Sequence, residues 1–180
     1  MDIKKSCEKA EELVRIYNPD GISPFPFEKI VEKEDKLANI YYSDSLPDEI
    51  SGAIIYNLKL DSYSIHINKN KNSNRKHFTT AHEIGHFFLH KDIIKREEAI
   101  IDDGDSPGDS HVLYMYSSDN GSSTDTEKEA NHFASALIMP SELVTEAWEA
   151  IGNVEECAKI FNVSISAMSI RLEILKLINE

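Results

Sequence analysis

Two histidines four residues apart, with a glutamate directly after the first, stand at His82-Glu83-Ile84-Gly85-His86. On an α-helix, residues four apart lie about 40° apart around the axis and one turn along it, so both imidazoles can reach one ion. Glu83 then lies near that ion but offset from it, where its carboxylate can take a proton from an attacking water. The chemistry this spacing offers is metal-assisted hydrolysis. The flanks suit it: Lys76 to His90 reads as one continuous helix, with Phe78, Ala81, Gly85 and Leu89 able to face a core.

A catalytic zinc needs a third protein ligand and an open position. Asp92 lies six residues after His86, a spacing that usually requires a glycine three residues after the second histidine to turn the chain back. Leu89 stands there instead, inside an apolar helix, so Asp92 is set aside. His90 is set aside too, being two turns from His82. A carboxylate from another helix is the remaining route, and Glu127-Lys128-Glu129-Ala130-Asn131-His132-Phe133-Ala134 supplies it. Ala130, Phe133, Ala134 and Leu137 form its apolar stripe. Glu127, three residues before Ala130, continues that stripe, and Glu129 is expected to point away. Asn131 follows Glu127 by four and can fix a ligating ring by hydrogen bonding. Small Ala130 and Ala134 permit close helix packing. The alternatives are two histidines packed without a metal and Glu127 as a surface charge at a helix N-terminus. Whether the three side chains meet decides between them.

The elements that must position these residues can be read along the chain. Residues 3–17 form a helix with Ala10, Leu13, Val14 and Tyr17 on one stripe. Asn18-Pro19-Asp20-Gly21 stops it, and a short helix follows near 26–34. Strands are expected at Leu37–Tyr42, Ala53–Leu58 and Ser62–Ile67, joined by short links that suggest an antiparallel meander. Helices are expected at 75–91, 125–139 and 141–150, the last with Ser141 as N-cap and Gly152 past its end. Between them, 97–110 is acidic and broken by Gly104, Pro107 and Gly108, and His111–Tyr116 is a short strand. Residues 153–178 read as two helices joined at Asn162-Val163-Ser164. They resemble a helix-turn-helix, with Ala158, Val163, Ile170 and Leu172 at its core positions. The fold expected is α+β. Residues 1–150 carry the site, and 151–180 form a helical unit packed on it.

Composition narrows the function. At 180 residues, 41% hydrophobic and 28% charged, the chain has ordinary globular make-up. Its net charge of −13 offers little to phosphates, so proteins are expected as partners rather than nucleic acid or anionic membrane. The second helix of the C-terminal pair offers only Arg171 and Lys176 as basic groups, opposed by Glu173 and Glu180. The N-terminus lacks a signal-like apolar stretch, and no run approaches the roughly 20 apolar residues of a membrane span, so a cytoplasmic location is expected. Cys7 and Cys157 read as two reduced thiols, which leaves histidine and carboxylate as metal donors.

Taken together, the motifs resemble the ImmA/IrrE metallo-endopeptidases. Arg75-Lys76-His77-Phe78-Thr79-Thr80-Ala81-His82-Glu83-Ile84-Gly85-His86 is similar to that family's R-x-x-F-T-x-A-H-E-x-G-H signature. Glu127-x-x-Ala130-Asn131-x-Phe133-Ala134, followed by Leu137-Ile138-Met139-Pro140, is similar to its second. The resemblance implies a zincin-like minimal metallopeptidase, with Zn2+ on His82, His86 and Glu127 and Glu83 as catalytic base. It implies limited cleavage of a partner, a helix-turn-helix repressor of a mobile element or stress response. A different class of function is a non-catalytic regulator that keeps the zinc fold and docks to a repressor. By chain position His111, Tyr114 and Tyr116 are candidates to contact substrate or stabilise an oxyanion. The acidic 97–110 stretch is outside the family signature; it reads as a solvated loop or as a lid attracting a basic substrate.

Overall fold

The computed structural model of the chain describes residues 2–101 and 125–179, with side chains described throughout except at 96–101. The expected strand at 111–116 and most of the acidic stretch lie outside the described residues. The order is α1 (Ile3–Tyr17), α2 (Glu28–Lys33), β1 (Leu37–Ser43), β2 (Gly52–Asn57), β3 (Ser62–Asn68) and α3 (Ser73–Ile101). Then come α4 (Asp125–Ile138), α5 (Ser141–Ile151), α6 (Val154–Phe161) and α7 (Ile165–Ile174). This is an α+β fold, and no helix among the described residues is long and apolar enough to cross a membrane.

The sheet corrects the expected antiparallel meander. Its order is β1-β3-β2, with β2 antiparallel and β1 parallel to β3. The β2–β3 hairpin is local: Asn57 Oδ1 accepts from the N–H groups of Lys59 and Leu60, and Asp61 takes a positive φ of 47°. β3 is the central strand, and its inward residues, Tyr63, Ile65 and Ile67, are buried along their whole length. β1 exposes Tyr41 and Tyr42 and occupies an edge. The link from β1 to β2 is free to cross the end of β3. It is tied down there by fully buried Asn68, which donates to the carbonyls of Pro47 and Ile50 at 3.1 and 3.0 Å.

α3 lies on β2 and β3, α4 packs on α3, and α1 packs on α4. The contact between α3 and the sheet is close. A Cβ on Gly52 would stand 2.5 Å from Thr79 Cγ2, so only glycine admits this approach. Tyr63 meets the Phe87 ring edge-on at 5.4 Å and donates its hydroxyl to the Lys91 carbonyl. Asn72 Oδ1 accepts from the Arg75 N–H at the start of α3. The helix runs well past the expected end near 91 to Ile101, taking in the first residues of the acidic stretch. Lys95, Glu97, Glu98 and Ala99 are all good helix formers, with no breaker before Gly104.

Two details of the C-terminal helices also differ from expectation. Pro140, not Ser141, is the N-cap of α5, and the Ser141 N–H donates instead to Glu11 of α1 at 2.9 Å. In α7, Ile170 is 56% exposed, and the inward positions belong to Met168, Arg171 and Leu172. Arg171 is drawn inward because its guanidinium finds the Met139 carbonyl at 2.9 Å and Glu11 at 3.3 Å. Ala158, Val163 and Leu172 are buried as expected.

Candidate metal centre

The site forms where α3 and α4 cross. Their approach is set by small residues: a Cβ on Gly85 would stand 3.0 Å from Phe133 Cδ1 and 3.3 Å from Ala130 Cα. α3 turns His82 and His86 toward α4, both nearly or wholly buried. α4 returns Glu127 from its first turn. His82 Nε2 lies 3.2 Å from Glu127 Oε2, His86 Nε2 lies 3.2 Å from Glu127 Oε1, and the two Nε2 atoms are 3.0 Å apart.

These separations can be tested against a metal. In a tetrahedron with bonds of about 2.0–2.1 Å, neighbouring donors stand about 3.3 Å apart. The two imidazole nitrogens are 3.0 Å apart and each lies 3.2 Å from a different carboxylate oxygen, close to that edge, and two imidazoles with one carboxylate are a donor set that zinc accepts. His82, His86 and Glu127 together can hold an ion.

The electrostatics agree. Burial pushes the Glu127 carboxyl upward, but hydrogen bonds from His82 and His86 outweigh it and bring it down to about 2. Burial pushes His86 down to about 4 against the pull of Glu127. For His82 burial acts downward, and Glu127, Glu83 and Asn131 reverse it to a net rise. Near neutral pH Glu127 is thus ionised and His86 neutral, the forms a metal binds. Glu83 is fully buried, and its charge reaches His82.

Asn131 Oδ1 accepts from His82 Nδ1 at 3.0 Å and holds that ring. Glu129 does not point away as expected. Its Oε2 lies 3.1 Å from His90 Nε2, and His90 Nδ1 lies 3.0 Å from His86 Nδ1. α4 is packed between α3 and α1, so its inward arc is wide, with Glu127 at one border and Glu129 at the other. His90 thus supports a neighbour instead of meeting Glu127. Its spacing of four from His86 is the sequence sign of that role. His111, Tyr114 and Tyr116 lie outside the described residues.

Comparison with known proteins bears on the same residues. The family model described as IrrE N-terminal-like domain, peptidase family M78, matches residues 38–173. Metallopeptidase ImmA of Bacillus subtilis (strain 168) is 27% identical over 129 residues, which cover 71% of this chain and 65% of that protein. The chain therefore corresponds to under two thirds of that relative's length. A solved structure titled Mycobacterium tuberculosis transcriptional regulator shares the fold, with a TM-score of 0.59 at 16% identity over 94% of this chain and 46% of its own. The family match spans both crossing helices and every described residue of the His82–His86–Glu127 cluster, and on that match the chain belongs to the ImmA/IrrE metallopeptidase family.

Proposed function

We propose that this chain is a zinc-dependent endopeptidase making a limited cut in a partner protein, with the zinc on His82, His86 and Glu127. The observation that carries this reading is the meeting of three donors at 3.0–3.2 Å, with buried Glu83 next to the first of them. The printed name of the Bacillus relative, a metallopeptidase, supports it.

A zinc ion held there supplies Lewis acidity, polarising a carbonyl and making water acidic enough to attack near neutral pH. The rest falls to the chain's own groups. Glu83 takes the proton of the attacking water on its carboxylate and passes it to the leaving amine. Burial of Glu83 keeps that carboxylate in one place and out of bulk solvent. Asn131 keeps the His82 ring turned so that Nε2 faces Glu127. For the oxyanion donor we look to His111, Tyr114 and Tyr116.

The substrate we favour is a helix-turn-helix repressor, acted on in the cytoplasm. The family resemblance supports it, as does a fold shared with a protein titled transcriptional regulator. A net charge of −13 suits a basic DNA-binding partner. With Arg171 turned inward, α7 is poor in cations for DNA, so the helix-turn-helix-like unit over 151–180 is read as a docking element.

Co-expression with a candidate repressor tests the reading. Glu83→Gln should retain one zinc per chain by metal analysis and lose cleavage by roughly 10²–10⁴-fold, the usual worth of a positioned base. A Glu83→Gln chain that still cuts at the wild-type rate defeats the mechanism. One that no longer cuts yet still relieves repression points to docking without turnover.

A further inference from the structure

The paired imidazoles rest on contacts that continue beyond them. Positions 82, 86 and 90 follow one another at intervals of four and line a single stripe of α3. The first two turn Nε2 toward Glu127, and the third does not: His90 presents Nδ1 to His86 and Nε2 to Glu129. Glu129 Oε1 also accepts from the Asp2 N–H at 2.6 Å, so its carboxylate is held from the side of α1 as well.

The donor of each bond follows from what each group can do. An ionised carboxylate only accepts, so His90 Nε2 carries the hydrogen it gives to Glu129. In the neutral ring the other nitrogen is then an acceptor, so His90 Nδ1 offers a lone pair. His86 Nδ1, 3.0 Å away, must be the donor. That leaves the lone pair of His86 on Nε2, facing His82 and Glu127. His82 reaches the same state by a shorter route, because its Nδ1–H is taken by Asn131 Oδ1. With a metal bound, three electron pairs therefore converge on it; without one, the 3.0–3.2 Å contacts among them need shared hydrogens, of the kind that hold the Glu127 carboxyl low.

Building on the metal-site reading above, we propose that Glu129 and His90 are a positioning relay. Glu129 fixes the tautomer and tilt of His90, and His90 fixes those of His86, so that His86 Nε2 is presented to the metal. Neither relay residue touches the ion or the substrate. The two ligating histidines thus have different supports, an amide on His82 and a carboxylate–imidazole pair on His86.

The test is zinc affinity of the full chain by competition with a chromophoric chelator, with cobalt(II) absorption reporting ligand geometry. Wild type should bind one zinc and His82→Ala none. A wild type that binds no zinc sinks both the metal reading and the relay, whereas failure of the relay alone shows only in the variants. His90→Leu should weaken binding roughly 10–100-fold and Glu129→Leu about tenfold, the usual effect of losing a group that orients a ligand. His90→Asn, whose Oδ1 can accept the His86 N–H from nearly the same place, should stay within about threefold of wild type and keep its cobalt spectrum. Since an amide acceptor needs no carboxylate to define it, Glu129→Leu should cost far less in the His90→Asn background than alone. Unchanged affinity in His90→Leu and Glu129→Leu overturns the proposal, and so does a His90→Asn loss as large as that of His90→Leu. Should His90→Leu fail to fold by circular dichroism, the Glu129→Leu single and its pair with His90→Asn decide the question.

Discussion

Gly85 sets the distance between the helix that carries both imidazoles and the helix that carries the carboxylate, and Gly85→Ala measures how tightly. The added Cβ stands 3.0 Å from Phe133 Cδ1, 3.3 Å from Ala130 Cα and 3.4 Å from Ala130 O. Comfortable carbon contacts begin at about 3.5 Å. Phe133 is fully buried and cannot swing aside, and the Ala130 atoms are backbone, so α4 itself must retreat by a few tenths of an ångström. Alanine for glycine inside a helix is worth about 1 kcal/mol of stabilisation. Overpacking a filled contact costs about 1–3 kcal/mol. The balance is a loss of about 1 kcal/mol, which lowers the melting temperature of a chain this size by about 2–4 °C. Glu127 lies one turn before Ala130 and moves with it, out of the 3.2 Å contacts with His82 and His86. Zinc affinity should therefore fall too, by about tenfold for each 1.4 kcal/mol of misfit. Thermal unfolding of the metal-free protein and chelator competition read the two effects separately. A Gly85→Ala chain that melts higher than wild type and binds zinc equally well refutes the idea that this contact sets the site.

Two further outcomes follow from groups away from the metal. His77 is buried against Phe27, and burial pushes it from an ordinary value near 6.5 down to about 4. A histidine with a depressed folded pKa contributes stability that is fully present above about pH 6.5, drains away as pH falls, and is gone below about pH 4. From pH 7.5 to pH 5 the loss is about 2 kcal/mol. Urea unfolding of metal-free His77→Leu should show an acid limb shallower by that amount, and equally steep limbs refute it. At the other end of the fold, Arg171→Met strips the buried Met139 carbonyl of the guanidinium and Glu11 of one of its donors, the Ser141 N–H remaining, and should cost about 2–3 kcal/mol by denaturant unfolding. Lysine at 171 should recover little of this, since one ammonium cannot repeat the guanidinium fork; a change under about 0.5 kcal/mol in Arg171→Met would mean the buried bonds carry no net stability.

What could be read in advance was whatever a single helix or hairpin decides by itself. The spacing of His82 and His86 is local, and so is the stripe that brings Glu127 inward; those three side chains meet. Glu129 departs from expectation because a stripe drawn for one neighbour does not describe a helix with two. α4 is covered by α3 and by α1, and a residue at the second border of its inward arc finds His90. The sheet order has the same origin, since the pairing of β1 with β3 joins segments that no single hairpin or link length decides. α7 shows it in chemical form. A helix-turn-helix pattern predicts an apolar Ile170 inside, but an available carbonyl at Met139 and a carboxylate at Glu11, both distant in sequence, draw Arg171 inward and leave Ile170 in solvent. A buried cation with two partners is a statement about three segments at once, and periodicity within one segment cannot contain it. The same reasoning separates His90 from its neighbours on α3: the repeat of four places it on the ligand stripe, and only Glu129, thirty-nine residues on, turns it from a would-be ligand into the support of one.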